Sequence, residues 1–497
     1  MRNSVDKMIE ACNKMIVSGK DAGSGAHEGG TMDTKERPRL GLLGLMTDGY
    51  EPIFPGITAR QEAYAREIVA LCADAVELRF PGAAKNRREI EETVAAFNSQ
   101  GLDGILIVLL AYSQGAWLLR ALQDNRLPIA LAIVQPDQAV GREWKELDLT
   151  VNQGIHGAQD NANMIVRMGF PCQFFAGNRL EPRFRSFIED FGRAAAVRSR
   201  LRKLRVAIFG RMGGMGDILT DDMAFFARVG PEFVHQDLGS VATAMAGITD
   251  QEIAASMERD RKVFDVDPKL SRESHAEATR IYLGFRRHLE AGGFRAFTAH
   301  FDNFGEDGRF RQLPLMGASH LMAEGYGYAA EGDAVCASLV YAAHHIGDGG
   351  GNFTEMYTMD FATGSIIFCH AGEGNWSTCG PGSRPRLIDR FLGEGGLENP
   401  PTPIFLPRPG EATLVSLTAI PGGNFRLVAA RGDILPRADM VNNEMPYFFW
   451  KPRSGVEACV EAWVAAAGTH HEVICLGDLT TRWKMLCSML GIEYVQV

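Results

Sequence analysis

No stretch of this chain is long and apolar enough to cross a bilayer. Its best run, GILIVLLAY at 104–112, falls well short of the about 20 residues a span needs. The first residues, MRNSVDKMIEACNKMIVSGK, have no apolar core of the kind a secretory signal carries. Nine cysteines are scattered at 12, 72, 172, 336, 369, 379, 459, 475 and 487, and no two are spaced CxxC. That argues against a disulfide scaffold or a cysteine-based zinc site and suits a reducing, cytoplasmic compartment. A dense basic block is also missing. Against 61 acidic residues stand 51 basic ones, a net charge of −10, and the cluster RSRLRKLR at 198–205 reads as the solvated end of a helix. Neither nucleic acid nor a membrane is expected as a partner. The glycine-rich RMGGMGD loop at 211–217 has neither the GK[ST] ending nor the GxGxxG spacing of a nucleotide site. It is expected to line a small polar ligand, and no organic cofactor is expected.

What is present is a chain of 497 residues, too long for one core. The small, polar residues 21–37, DAGSGAHEGGTMDTKER, make 1–37 an expected disordered leader. From Arg39 apolar strand patterns (RLGLLGLM, DAVELRF, GILIVLLAY, PIALAIVQ) alternate with amphipathic helices. Buried strands separated by helices predict a doubly wound parallel sheet, with ligands approaching its C-terminal strand ends. The strand RVAIFG opens a second unit of the same kind, with helices near 221–228, 249–260 and 273–291 and a strand at 295–301. After Gly347–Gly351 the pattern changes to the strand-like TEMYTMDF, SIIFCH, ATLVSLTAI, NFRLVAARGDIL and HEVICLG. The expected fold class is therefore α/β: two doubly wound α/β domains, at 38–180 and 181–346, followed by a β-rich, barrel-like C-terminal domain at 347–497.

The chemistry concentrates between Glu324 and Trp376. Glu331 and Asp333 lie in AEGD, Glu355 in FTEMYTMDF and His370 at the end of SIIFCH, all in otherwise apolar, glycine-flanked sequence. Taken singly, Glu331 reads as a helix cap and His370 as a satisfied strand-end histidine. Taken together they suit a divalent metal, because buried carboxylates need a compensating charge. A fourth candidate comes from the pair His470–His471 in AAAGTHHEV, of which only one can meet a given ion. The similar pair His344–His345 sits at a helix end, where a structural role is expected. Two carboxylates with two imidazoles suit Mn²⁺ well.

The motifs GYGYAAEGD, TEMYTMDF, FCH and AAAGTHHEV, in this order, resemble the metal-binding motifs of the L-arabinose isomerase and L-fucose isomerase superfamily, and the arabinose branch more closely. The resemblance implies Glu331, Glu355, His370 and His471 as metal ligands, with Glu331 and Glu355 also catalytic. It implies substrate contacts at Gln153 and His156 in VNQGIHGAQD, with His470 also placed on the substrate side. Further implications are two α/β domains with a β-rich third, a sugar substrate and a homotrimer or homohexamer with active sites at subunit interfaces. Two stretches depart from the family, LMTDGYEPIFPG after the first strand and the RMGGMGD loop, and both bear on sugar identity. The expected reaction is aldose–ketose interconversion through an enediolate, with one carboxylate removing the C–H proton and another returning it. Two α/β domains also describe non-catalytic sugar receptors, and a metal-dependent aldolase or dehydratase would use a related intermediate. The receptor reading leaves Glu331, Glu355, His370 and His471 unexplained, and an assay for ketose formation against retro-aldol cleavage separates the isomerase from the aldolase.

Overall fold

The computed structural model describes residues 37–305, 308–380, 382–392 and 396–497. The expected leader, apart from Arg37, lies outside them. The first sheet is built on strands Arg39–Leu45, Gly104–Leu109 and Ile129–Ile133, which are almost wholly apolar and buried. Alternate residues of these strands enter two separate cores. Leu40, Leu42, Leu106 and Val108 pack with Tyr64, Ile68, Phe184 and Ile188. Leu43, Leu45, Ile105 and Ile107 pack with Ile90, Val94 and Phe97. Helices therefore cover both faces, which is why the strands carry no polar alternation. All pairings are parallel, and the five main strands, with Glu77–Arg79 second in chain order, run in the spatial order 2-1-3-4-5. The fifth, Cys172–Ala176, is an edge strand with Phe174 exposed. Its half-exposed pattern lacks the continuous apolar run that marks the others.

The second sheet repeats the logic with strands Arg205–Phe209, Glu232–His235, Ala296–Ala299 and Gly327–Ala330, all parallel in the order 2-1-3-4. Its order reverses between the strands ending at Phe209 and Ala299. A crevice outside the carboxyl ends of the strands opens at such a point. The RMGGMGD loop leaves one of these strand ends, and Glu331 follows the end of the next strand out.

From Gly351 the chain forms a barrel of six antiparallel strands: Gly351–Asp360, Ser365–Cys369, Gly410–Ile420, Asn424–Ile434, Tyr447–Pro452 and Glu472–Leu476. The pairing of Gly410–Ile420 with both Asn424–Ile434 and Glu472–Leu476 closes it, so no edge is left open. Tyr447–Pro452, read from YFFWKP, is a strand that periodicity could not assign in so short an apolar run. Helix Thr480–Leu490 and the parallel strand Glu493–Gln496 on the barrel wall were likewise not anticipated. The expected fold class holds: parallel α/β sheets precede a closed β-barrel.

One helix joins these parts. Ala334–Ile346 is apolar all round and buried along nearly its whole length. Such a helix must be enclosed on every side, and it packs on the second sheet, on helix Pro182–Leu201 and on three barrel strands. Its C-terminal histidines are structural. His344 Nε2 lies 3.1 Å from the Tyr326 carbonyl, and His345 packs edge-on against Tyr341. Its N-terminus opens on Glu331.

Candidate active site

The barrel register sets three of the site residues side by side. Glu355 pairs with Cys369, and Thr354 pairs with Glu472. Continuing each ladder by one residue puts His471 opposite Glu355 and His370 opposite Thr354, at one rim of the barrel. Immediately beyond Glu355 the ladder slips between Met356 and Thr358. Such a bulge re-aims side chains at the rim of a barrel.

Glu331 reaches the same place from the second sheet, and its backbone is in an unusual state. It is one of only two non-glycine residues with positive φ among those described, at 65°. A left-handed conformation costs a side-chain-bearing residue about 1–2 kcal/mol and persists only where the surroundings enforce it. Here the Glu331 N–H donates to the Ala299 carbonyl at 2.9 Å, and its own carbonyl accepts from Met212 N–H at 2.8 Å. Gly332 follows at φ 93°, with an added Cβ only 2.4 Å from the Arg211 Cα. Only glycine fits there. The chain then turns into the buried helix, capped by Asp333, whose Oδ1 accepts from Cys336 N–H at 2.8 Å.

Three imidazoles share one arrangement. In each, Nδ1 meets a carboxylate and Nε2 turns toward the glutamate pair. His471 Nδ1 is 3.0 Å from Asp333 Oδ2, and its Nε2 is 3.2 Å from Glu331 Oε2 and 3.4 Å from Glu355 Oε1. His370 Nδ1 is 3.1 Å from Glu373 Oε2, with Nε2 3.7 Å from Glu355 Oε1. His470 Nδ1 is 2.6 Å from Asp217 Oδ2, with Nε2 3.6 Å from Glu355 Oε1. A carboxylate on the far nitrogen, fixing tautomer and ring orientation, accompanies histidines that ligate metals. One donor atom from each of Glu331, Glu355, His470 and His471 lies within 4.8 Å of all the others. Opposite donors on a shared ion at about 2.0–2.3 Å are about 4.0–4.6 Å apart, so this set needs little contraction to hold one.

The electrostatics are those of a site built around charge. Contact with His471 holds the Glu331 carboxyl below its usual range, against the opposing effect of burial. Burial disfavours a charged His471, but Asp333, Glu331 and Glu355 outweigh it and raise its pKa well above the ordinary value. The same contest lowers Glu373 to about 2: burial pushes it up, and His370, its own backbone and the Tyr328 hydroxyl, which donates at 2.8 Å, pull it down. Hydrogen bonding to His470 brings Asp217 down to about 2. Burial, with the nearby Glu355 charge adding to it, pushes the Glu472 carboxyl well above its ordinary range.

The structure thus brings Glu331, Glu355 and His471 together with His470, and places His370 beside them, its Nε2 3.7 Å from Glu355 Oε1 but outside the compact four-donor set. Gln153 and His156 lie elsewhere, at the C-terminal edge of the first sheet. There Gln153 Nε2 donates to the Tyr50 hydroxyl at 2.9 Å, Gln153 Oε1 is 3.2 Å from His156 Nδ1, and His156 stacks on Tyr112. Their side-chain hydrogen bonds stay within that part of the chain. Asp217 and Glu373 were not anticipated as site residues, and Asp333 only as a neighbour of Glu331. Glu373 had a signal in its i+3 spacing from His370, and Asp217 closes the glycine loop.

Comparison with known proteins gives a consistent result. Residues 220–349 match the L-arabinose isomerase central domain, and 350–493 match the L-arabinose isomerase C-terminal domain. An L-arabinose isomerase of Mycolicibacterium smegmatis is 31% identical over 71% of this chain and 72% of its own length. Those of Geobacillus kaustophilus and Nocardioides sp. are 28% and 29% identical, over 80% and 79% of this chain and 82% and 80% of their own lengths.

Proposed function

Because the chain belongs to the L-arabinose isomerase family and is therefore an aldose–ketose isomerase, we propose that it uses a divalent metal, Mn²⁺ by choice of donors, and an enediolate intermediate. The observation that carries this reading is the convergence of three imidazole Nε2 edges on the Glu331–Glu355 pair, each imidazole backed by its own carboxylate. Glu331, Glu355, His370 and His471 hold the ion. When bound, it supplies a Lewis acid that offsets, by several kcal/mol, the negative charge developing on the sugar oxygens.

The protein's own groups move the proton. In the aldose-to-ketose direction one of Glu331 and Glu355 takes the proton from the carbon bearing the hydroxyl, the other delivers its own proton to the adjacent carbonyl carbon, and the hydroxyl proton passes to the former carbonyl oxygen. Glu331 suits the base role, because its contact with His471 keeps it ionised. The left-handed backbone at Glu331 fixes the carboxylate before substrate arrives, which saves reorganisation during the reaction. His470 and the RMGGMGD loop flank the entrance on the substrate side. The names of the relatives make L-arabinose the first sugar to test. The experiment is a panel of aldoses with protein stripped by chelator and then reloaded with Mn²⁺. Ketose should form only after reloading. Full turnover by stripped protein, or retro-aldol products in place of a ketose, would overturn the reading.

Gln153 and His156 complete the pocket from a neighbouring copy, in a cytoplasmic homotrimer or homohexamer. Gln153 lines a hollow of about 370 Å³ together with Trp144, Leu149 and Asn152, and Val140, Leu149 and Ile155 are all more than half exposed. Apolar side chains around a polar pair suit a face covered by another protein surface. Light scattering should find an oligomer, and Gln153→Ala should raise KM while leaving assembly intact. A fully active monomer would contradict this arrangement.

A further inference from the structure

We infer that His470 is a fifth protein donor to the same ion and that Asp217 is the positioning residue that makes it one. This rests on the metal reading above and adds a role for the RMGGMGD loop. The loop leaves the strand Arg205–Phe209 in the second sheet, whereas His470 precedes a barrel strand, 253 positions later. Asp217 Oδ2 accepts twice from that one residue, from the backbone N–H at 2.9 Å and from Nδ1 at 2.6 Å. A carboxylate that accepts from Nδ1–H leaves the lone pair on Nε2, the atom facing Glu355 at 3.6 Å. The second contact, to the main chain, fixes where the ring starts as well as how it is turned. The result is the same far-nitrogen pairing seen at His370 with Glu373 and at His471 with Asp333.

Position supports the assignment as much as orientation does. His470 lies in the compact donor set with Glu331, Glu355 and His471, and its ring centroid is 4.2 Å from that of His471. Its side chain is 43% exposed, whereas His471 is sealed. That places His470 on the open side of the ion, as the donor most easily displaced by an incoming hydroxyl. A simple structural tie between loop and barrel would require the Asp217 contacts but not the aim of Nε2 into the carboxylate pair.

The test uses full-length protein stripped with chelator and titrated with Mn²⁺ alone. Free and bound Mn²⁺ are measured by electron paramagnetic resonance, and pulsed measurements count the coupled imidazole nitrogens. The parent should show three, and His470→Gln should show two. Asp217→Asn should weaken Mn²⁺ binding by about 10–100-fold and lose or weaken the third coupling, as expected for a ligand's supporting carboxylate. Melting curves of the stripped variants, recorded alongside, report any structural tie separately. Two nitrogens in the parent, or unchanged affinity and couplings in both variants, would overturn the inference while leaving the four-donor site standing. A parent that binds no Mn²⁺ would remove the metal reading and this inference together.

Discussion

Replacing Glu331 or Glu355 by Gln is expected to cut kcat by about 10²–10⁴-fold with Mn²⁺ saturating, the range typical of a general acid or base. Gln keeps the shape and a hydrogen-bonding oxygen but has no basicity at the reacting carbon. Both variants should also bind Mn²⁺ more weakly, because each loses a charged donor facing His471 Nε2 at 3.2 and 3.4 Å. His471→Gln separates the two functions. It removes a donor without removing a carboxylate, so its defect should lie mainly in metal affinity and be partly restored by excess Mn²⁺. A Glu331→Gln or Glu355→Gln enzyme restored to parental kcat by added metal would show that the carboxylate binds without transferring a proton.

Asp333 is expected to give the second large effect, because one carboxylate does two jobs with different oxygens. Oδ1 caps the buried helix Ala334–Ile346 by accepting from Cys336 N–H. Oδ2 pairs with His471 Nδ1. Asp333→Ala loses both, with a stability cost of about 1–3 kcal/mol from the cap and the orphaned imidazole N–H. Asn caps helices about as well as Asp, so Asp333→Asn should retain most of that stability. It should still weaken Mn²⁺ binding by about 10–100-fold, because a neutral amide supports the imidazole less than a carboxylate. Denaturant unfolding of the stripped proteins and Mn²⁺ titration of the reloaded ones measure the two jobs separately. Equal Mn²⁺ affinity in the parent and Asp333→Asn would rule out the orienting role.

The parts of this molecule that were readable in the sequence are those that act locally. Strands such as GILIVLLAY declare themselves because both their faces are buried, and the alternate residues do separate into two cores. Glu331, Glu355 and the His470–His471 pair stood out because charge and imidazole are costly in apolar, glycine-flanked surroundings. What stayed hidden depends on register and on contacts between distant segments. Nothing in YFFWKP says that it is the strand linking Ser365–Cys369 to Asn424–Ile434 in the barrel. Asp217 looks like the polar end of a glycine loop until the fold brings it to His470. Glu373 looks like a surface acid in a glycine-rich turn, yet it is only 3% exposed and bound by Tyr328. The same holds for the pair itself. Adjacent histidines in an extended loop suggest that one faces the site and the other does not, but Asp217 and Asp333 pull the two rings round until both Nε2 atoms face Glu355.

On the proposed reading, the carboxylates of this site move a substrate proton only when a divalent ion is held beside them. The most direct measurement is hydrogen exchange at C2 of a bound aldose in deuterated water, with and without chelator. Deuterium should appear at C2 with Mn²⁺ present, exchange should be lost on chelation and recovered on reloading, and rates should fall far below the parent in Glu331→Gln and Glu355→Gln. Exchange at the parental rate in stripped protein or in either glutamine variant would contradict it, as would ketose formed without any solvent deuterium.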